Sequence, residues 1–198
     1  HPEKIGLGGA TKRVTIIFTD LCGFTSVSEK MTSDQVVTML NEYFQEMLKA
    51  VSSYGGMVDK YVGDSIMVVF GLPEAGPHDA LDAVHCALDM LERLEARKKS
   101  QTPGFFSNLN MRTGINTGNV TAGNIGTERK QQYTVIGDSV NVACRLESLA
   151  PQNGILISDT TYHEVQQEIA VRSLGSVPVK GKEEGVEVYE VLGRKAEM

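Results

Sequence analysis

Two aspartates stand where strands end or turn. Asp20 closes the β-branched run Val14-Thr15-Ile16-Ile17-Phe18-Thr19, and Asp64 follows Gly63 between two apolar segments. Two carboxylates at one edge of a sheet can hold two hard cations roughly 3.5 to 4 Å apart, which activate an attacking hydroxyl and neutralise a polyphosphate leaving group. Taken singly, Asp20 would be read as a cap of the following helix and Asp64 as a turn residue. Asn141 and Arg145 are four positions apart, so a helix sets them on one face. There an amide can orient a sugar and a guanidinium can meet developing phosphate charge. Without neighbouring support such a pair is surface decoration. His78, His85 and His163 stand singly and read as structural or surface residues.

The elements that would position these side chains follow from hydrophobic period and turn chemistry. Val14 to Thr19 reads as a buried strand. From Asp34, the residues Val36, Val37, Leu40, Tyr43, Phe44, Met47, Leu48 and Val51 recur at helical spacing and stop before Gly55-Gly56. Met57 to Val62 and Ser65 to Phe70 flank Gly63-Asp64 as a β-hairpin, with Lys60 and Asp64 near its tip. A helix follows Pro77 and gives way to a loop at about residues 100 to 104. Three strands are expected at 110–116, 119–126 and 132–136. A helix then starts at Asp138-Ser139, either of which can cap it, and ends before Pro151. Strands at 155–157 and 186–191 with a short helix at 160–165 finish the chain. This order predicts an α+β fold, with a ferredoxin-like βαββαβ core, a mainly antiparallel sheet and an appended C-terminal αβ subdomain. Residues 1–11, with Gly6, Gly8 and Gly9, read as a linker or expression remnant, and residues 12–198 as one domain.

Bulk properties narrow the class. The length of 198 residues suits a single core. With 19 Lys and Arg against 25 Asp and Glu, the net charge of -6 gives no global attraction to nucleic acid or anionic membrane. A polyanionic substrate needs a local basic site. Cys22, Cys86 and Cys144 lie far apart with no CxxC or Cys/His spacing, which argues against a disulfide framework or a zinc site and for a reducing, cytoplasmic compartment. No apolar run approaches the roughly 18 residues that span a bilayer. The start at His1-Pro2 suggests a piece of a longer protein, whose upstream regulatory or membrane segments would lie outside this chain.

Three segments carry a family likeness. Phe18-Thr19-Asp20-Leu21-Cys22-Gly23-Phe24-Thr25 resembles the first metal-site motif of class III adenylyl and guanylyl cyclases, and Lys60-Tyr61-Val62-Gly63-Asp64 resembles the second. The stretch from Gln132 to Arg145 resembles the third over its whole length. The likeness spans about residues 12 to 192. It implies that Asp20 and Asp64, helped by the carbonyl of Leu21, hold two Mg2+ or Mn2+ ions per site. It implies a phosphate cradle at Gly23, Phe24 and Thr25, where Gly23 lets the backbone approach a ligand and helix-leading amides face phosphate oxygens. Lys60 matches the position that contacts the purine, and Thr134 the second base-reading position, held by Thr in the bacterial class IIIb subgroup. A cationic donor and a hydroxyl suit adenine better than guanine. Asn141 and Arg145 match the ribose-orienting and charge-stabilising positions. Arg129 and Lys180 match phosphate-end cations, although Lys182 lies close enough to compete with Lys180 for the alignment.

The resemblance implies an adenylyl cyclase that converts ATP to cyclic AMP and pyrophosphate in sites shared between two copies of the chain, for intracellular signalling. In such enzymes metals and phosphate loop come from one catalytic domain, and base-reading and Asn/Arg residues from the other. Bicarbonate activation is known in the Thr-bearing subgroup and enters as an implied regulator. The alternatives are a guanylyl cyclase and a catalytically silent nucleotide-binding dimerisation module. A palm-like polymerase or diguanylate cyclase shares the two-metal logic, but no Gly-Gly-Asp/Glu-Glu-Phe signature is present.

Overall fold

The computed structural model describes residues 8–100 and 106–196. The expectations for residues 1–7 and for the loop at 101–104 lie outside the described residues. In chain order the elements are β1 (Gly8–Cys22), α1 (Phe24–Ser28), α2 (Ser33–Ser53), β2 (Met57–Val62), β3 (Ser65–Phe70), α3 (Asp79–Ser100), β4 (Asn110–Thr127), β5 (Lys130–Ile136), α4 (Asp138–Leu149), β6 (Ile155–Ser158), α5 (Asp159–Val165), β7 (Ile169–Val179) and β8 (Lys182–Arg194). The sheet runs β2-β3-β1-β4-β6-β8-β7, with β5 paired to β4. Its first four strands have the order of a ferredoxin-like core. Only the β4–β6 pair is parallel, as expected of a mainly antiparallel α+β sheet.

Alternation along β1 divides the core. Ile17 and Leu21 join Tyr43 and Met47 of α2 and Ala83, Ala87 and Met90 of α3 on one face. Val14 and Ile16 face the other way, toward Val120, Val135 and Ala143. The α2 start is fixed by a capping box: Thr32 accepts from the Gln35 amide while the Gln35 side chain accepts from the Thr32 amide. Among the described residues no helix is long and apolar enough to cross a membrane.

Four details differ from the sequence reading. Residues 8–11, read as linker, belong to β1 and pair with β4. Gly9 and Gly123 stand opposite each other, and a side chain at Gly123 would strike the Gly8 backbone at 2.3 Å. The two strands expected at 110–116 and 119–126 are one, because Thr117 and Gly118 continue the ladder opposite Thr15 and Val14. The cap of α4 is Gly137, without a side-chain cap; Ser139 instead donates to the Asn119 carbonyl at 2.9 Å. Finally, β7 was not foreseen, since its apolar residues are interrupted by Gly175 and Pro178 and two register shifts flank that region.

Candidate active site

The register of β1 and the hairpin tip between β2 and β3 bring the two aspartates together. The Leu21 amide, one residue past Asp20, donates to Asp64 Oδ2 at 2.8 Å. Across the β1–β4 ladder Asp20 stands opposite Arg112. That guanidinium holds Asp20 with both oxygens, Nε to Oδ1 at 3.2 Å and Nη2 to Oδ2 at 3.0 Å. The same Nη2 lies 3.5 Å from Glu147 of α4. Glu147 is almost wholly buried, and burial, followed by its hydrogen bond to Asp20 and the Asp20 charge, pushes its carboxyl up to about 8. Beneath this cluster Tyr43 donates to Met111 Sδ at 3.4 Å; burial, then the charge of Asp64, holds its phenol far above the usual range.

Arg112 and Glu147 were not singled out from sequence. Arg112 is disclosed only by a strand position opposite Asp20, which requires the register to be known, and Glu147 only by the seating of α4 beside that pair. The donor set suits hard cations, since Asp20 and Asp64 supply carboxylate oxygens, and a cation at Asp20 would take over oxygens that Arg112 engages here. Among the described residues no cluster of three or more His, Cys, Asp or Glu could hold a metal by itself, so further ligands would have to come from substrate and water. Gly23 takes a left-handed backbone (φ 78°) and leads into α1, placing Phe24 and Thr25 in its first turn beside Leu21 and Cys22.

A second group forms on β2 and β5. Thr134, 6% exposed, donates its hydroxyl to Asp59 Oδ2 at 2.8 Å, and Lys60 Nζ lies 3.5 Å from the same oxygen. The two residues expected to read a base therefore meet within one protomer. A third group lies on α4 and the end of β7: Asn141, Arg145 and Lys180 line a cleft of about 460 Å³ with Pro178 and Val179. Lys182 instead faces Asp138 at 3.4 Å, so of the two competing lysines it is Lys180 that shares the cleft. Arg129 occupies the exposed turn between β4 and β5. From Arg112 to that turn β4 runs fifteen residues, a contour of roughly 50 Å. Among the described residues, no hydrogen bond or ion pair links the aspartate group, the Lys60/Thr134 group and the Asn141/Arg145/Lys180 group.

These three polar groups sit on one α+β domain with a mainly antiparallel sheet. The comparisons with known proteins identify its family. Residues 9–193 match the family model described as the adenylate and guanylate cyclase catalytic domain, and the chain belongs to this family. It is 35% identical over 92% of its length to "Adenylate cyclase 1" of Rhizobium meliloti, of which it covers 28%. It spans well under half the length of the curated relatives it matches first. Among solved structures, the adenylyl cyclase CyaB of P. aeruginosa superposes with a TM-score of 0.90 at 37% identity, covering 97% of this chain and all of that one. The guanylyl cyclase Cya2 superposes at 0.87 with 38% identity, covering 96% of each chain.

Proposed function

We propose that this chain is an adenylyl cyclase catalytic domain that converts ATP to 3′,5′-cyclic AMP and pyrophosphate in sites shared by a homodimer. An adenylyl and a guanylyl cyclase resemble it almost equally, so overall similarity does not choose the purine. The observation that carries the choice is the convergence of the Lys60 ammonium and the Thr134 hydroxyl on one spot. Lys60 can donate to the ring nitrogen that adenine leaves unprotonated, and Thr134 can accept from the exocyclic amine.

In this reading Asp20 and Asp64, with Leu21, hold two Mg2+ or Mn2+ ions. Cations bound there would lower the pKa of the 3′-hydroxyl and neutralise the triphosphate. Arg112 holds Asp20 in place until they bind. The amides of Gly23, Phe24 and Thr25 receive phosphate oxygens, with Arg129 and Lys180 adding positive charge. Asn141 orients the ribose, and Arg145 meets the charge that develops at the α-phosphorus. Positioning and charge stabilisation supply most of the rate.

The shared site is supported by the lack, among the described residues, of any hydrogen bond or ion pair joining the three groups within one protomer, since a two-fold axis generates two composite sites from one sequence. The likeness of Thr134 to the class IIIb position extends the proposal to bicarbonate stimulation, read as a rise in turnover with added bicarbonate at fixed pH. Three unpaired cysteines and an ATP substrate support a cytoplasmic setting.

Incubating the purified chain with ATP and GTP together, with Mg2+ or Mn2+, should yield cyclic AMP in excess. Cyclic GMP as the main product would overturn the purine assignment, and neither product would favour the silent dimerisation module. Mixing inactive Asp20→Ala and Asn141→Ala chains should restore turnover through one intact composite site per heterodimer. Failure to complement would sink the shared-site model.

A further inference from the structure

Asp59 and Lys60 are consecutive, and in a regular strand their side chains would project to opposite faces. Here the β2–β3 ladder shifts register: Val58 pairs with Val68 and Lys60 with Met67, so Asp59 is the extra residue of a β-bulge. Bulges re-aim side chains. Asp59 and Lys60 meet at one oxygen, where Asp59 Oδ2 accepts from Thr134 at 2.8 Å and lies 3.5 Å from Lys60 Nζ. The Asp59 carbonyl also accepts from Gln132 Nε2 at 3.3 Å, a second tie between β2 and β5. The Asp59 side chain is 0% exposed, and its Oδ1 has no partner among the described residues.

A carboxylate only accepts hydrogen bonds, whereas a hydroxyl offers one proton and two lone pairs. With its proton committed to Asp59, Thr134 shows only lone pairs to whatever lies in front of it. A purine with an amine at position 6 can donate to those lone pairs. A purine with a carbonyl there sets acceptor against acceptor and leaves both unpaired. A hydroxyl free to rotate would serve either base.

We propose that Asp59 is the positioning residue that sets purine selectivity, fixing the polarity of the Thr134 hydroxyl and anchoring Lys60 so that the site takes a 6-aminopurine nucleoside triphosphate. The proposal rests on the reading above that Lys60 and Thr134 face the base. Asp59 itself touches no substrate. Its effect passes through Thr134 and Lys60, and the bulge is what makes that possible.

The test compares kcat/KM for ATP and GTP in four chains. Asp59→Leu keeps the bulk but removes the acceptor, freeing the hydroxyl proton for a carbonyl. The ATP/GTP ratio should fall about tenfold or more. Thr134→Val should lower the ratio as well, while the double variant should be no less selective than Thr134→Val alone, because the two act as one unit. An unchanged ratio in Thr134→Val would show that the base-reading assignment is wrong. A lowered ratio in Thr134→Val with an unchanged ratio in Asp59→Leu, or an equal loss for both nucleotides in Asp59→Leu, would overturn the role of Asp59 alone.

Should Asp59→Leu fail to fold, the unmodified chain carries the test. N6-methyl-ATP and 6-methoxypurine riboside triphosphate match in bulk and in an unprotonated ring nitrogen, but one donates at position 6 and the other accepts. The first should be used about tenfold better. Equal use would refute a fixed acceptor at Thr134.

Discussion

Gly114 lies in β4 where α4 crosses the sheet. A Cβ there would stand 2.2 Å from the Glu147 nitrogen, 2.5 Å from the Ala143 oxygen and 2.8 Å from the Leu146 carbonyl carbon. All three atoms are α4 backbone, so no rotamer change relieves the contact. Ordinary contact begins at 3.4 Å, and Gly114→Ala must therefore lift α4 by roughly 1 Å. Overpacking of this kind costs about 1–3 kcal/mol. Lifting also opens a gap beneath Val142, Ala143 and Leu146, which are buried against the sheet. We expect a total of about 3 kcal/mol, which lowers the melting temperature of a domain this size by roughly 6 to 12 °C. The same helix carries Asn141 and Arg145, and misplacing them by about 1 Å should reduce turnover about 100-fold. Calorimetric melting and cyclic-nucleotide production would be measured beside Gly8→Ala, whose added Cβ has nothing within 4 Å and should change stability by less than about 0.5 kcal/mol. A Gly114→Ala chain that melts within about 2 °C of the parent and turns over at the parent rate would refute the idea that close seating of α4 on Gly114 positions the site.

Arg112→Ala leaves Asp20 and Glu147 without their shared cation. Because Arg112 is about one-third exposed, solvent screening keeps the cost to about 1–2 kcal/mol, a melting temperature lower by roughly 2 to 8 °C in chelator. Added Mn2+ should restore part of that loss, and a melting temperature indifferent to metal would count against Asp20 as a cation site. His85 packs edge-on against Tyr54, and burial, then the charge of Arg194, pushes its pKa below the ordinary 6.5. A depressed folded-state pKa means that stability present above pH 6.5 is lost as pH falls toward the folded value. The melting temperature should accordingly drop on acidification below that point, and His85→Gln should flatten the drop; an identical profile in the variant would remove His85 as its source.

What the sequence disclosed and what it hid divide along physical lines. The hairpin at 57–70 and the helices at 33–53 and 138–149 were legible because each is set by local period and turn chemistry: Gly55-Gly56 ends one helix and Gly63-Asp64 makes the turn. Asp20 and Asp64 were legible locally only as a strand-end and a turn residue, and the resemblance of their flanking segments to a family is what proposes them as metal ligands. Arg112 was not, because its function-relevant partner is 92 residues away and only the β1–β4 register brings them together. Asp59 was hidden differently. Strict alternation would point it away from Lys60, and the bulge that reverses this leaves no mark in composition. Both hidden residues are charged groups that bear on a residue the sequence did disclose, Arg112 on Asp20 and Asp59 on Thr134 and Lys60. Local pattern thus finds the groups that would touch a substrate, whereas the groups that set their charge and orientation depend on strand register, a property of the assembled sheet. It follows that exchanging only the legible residues between two cyclase domains should transfer chemistry incompletely, since each would be received by a sheet whose register places other side chains behind it.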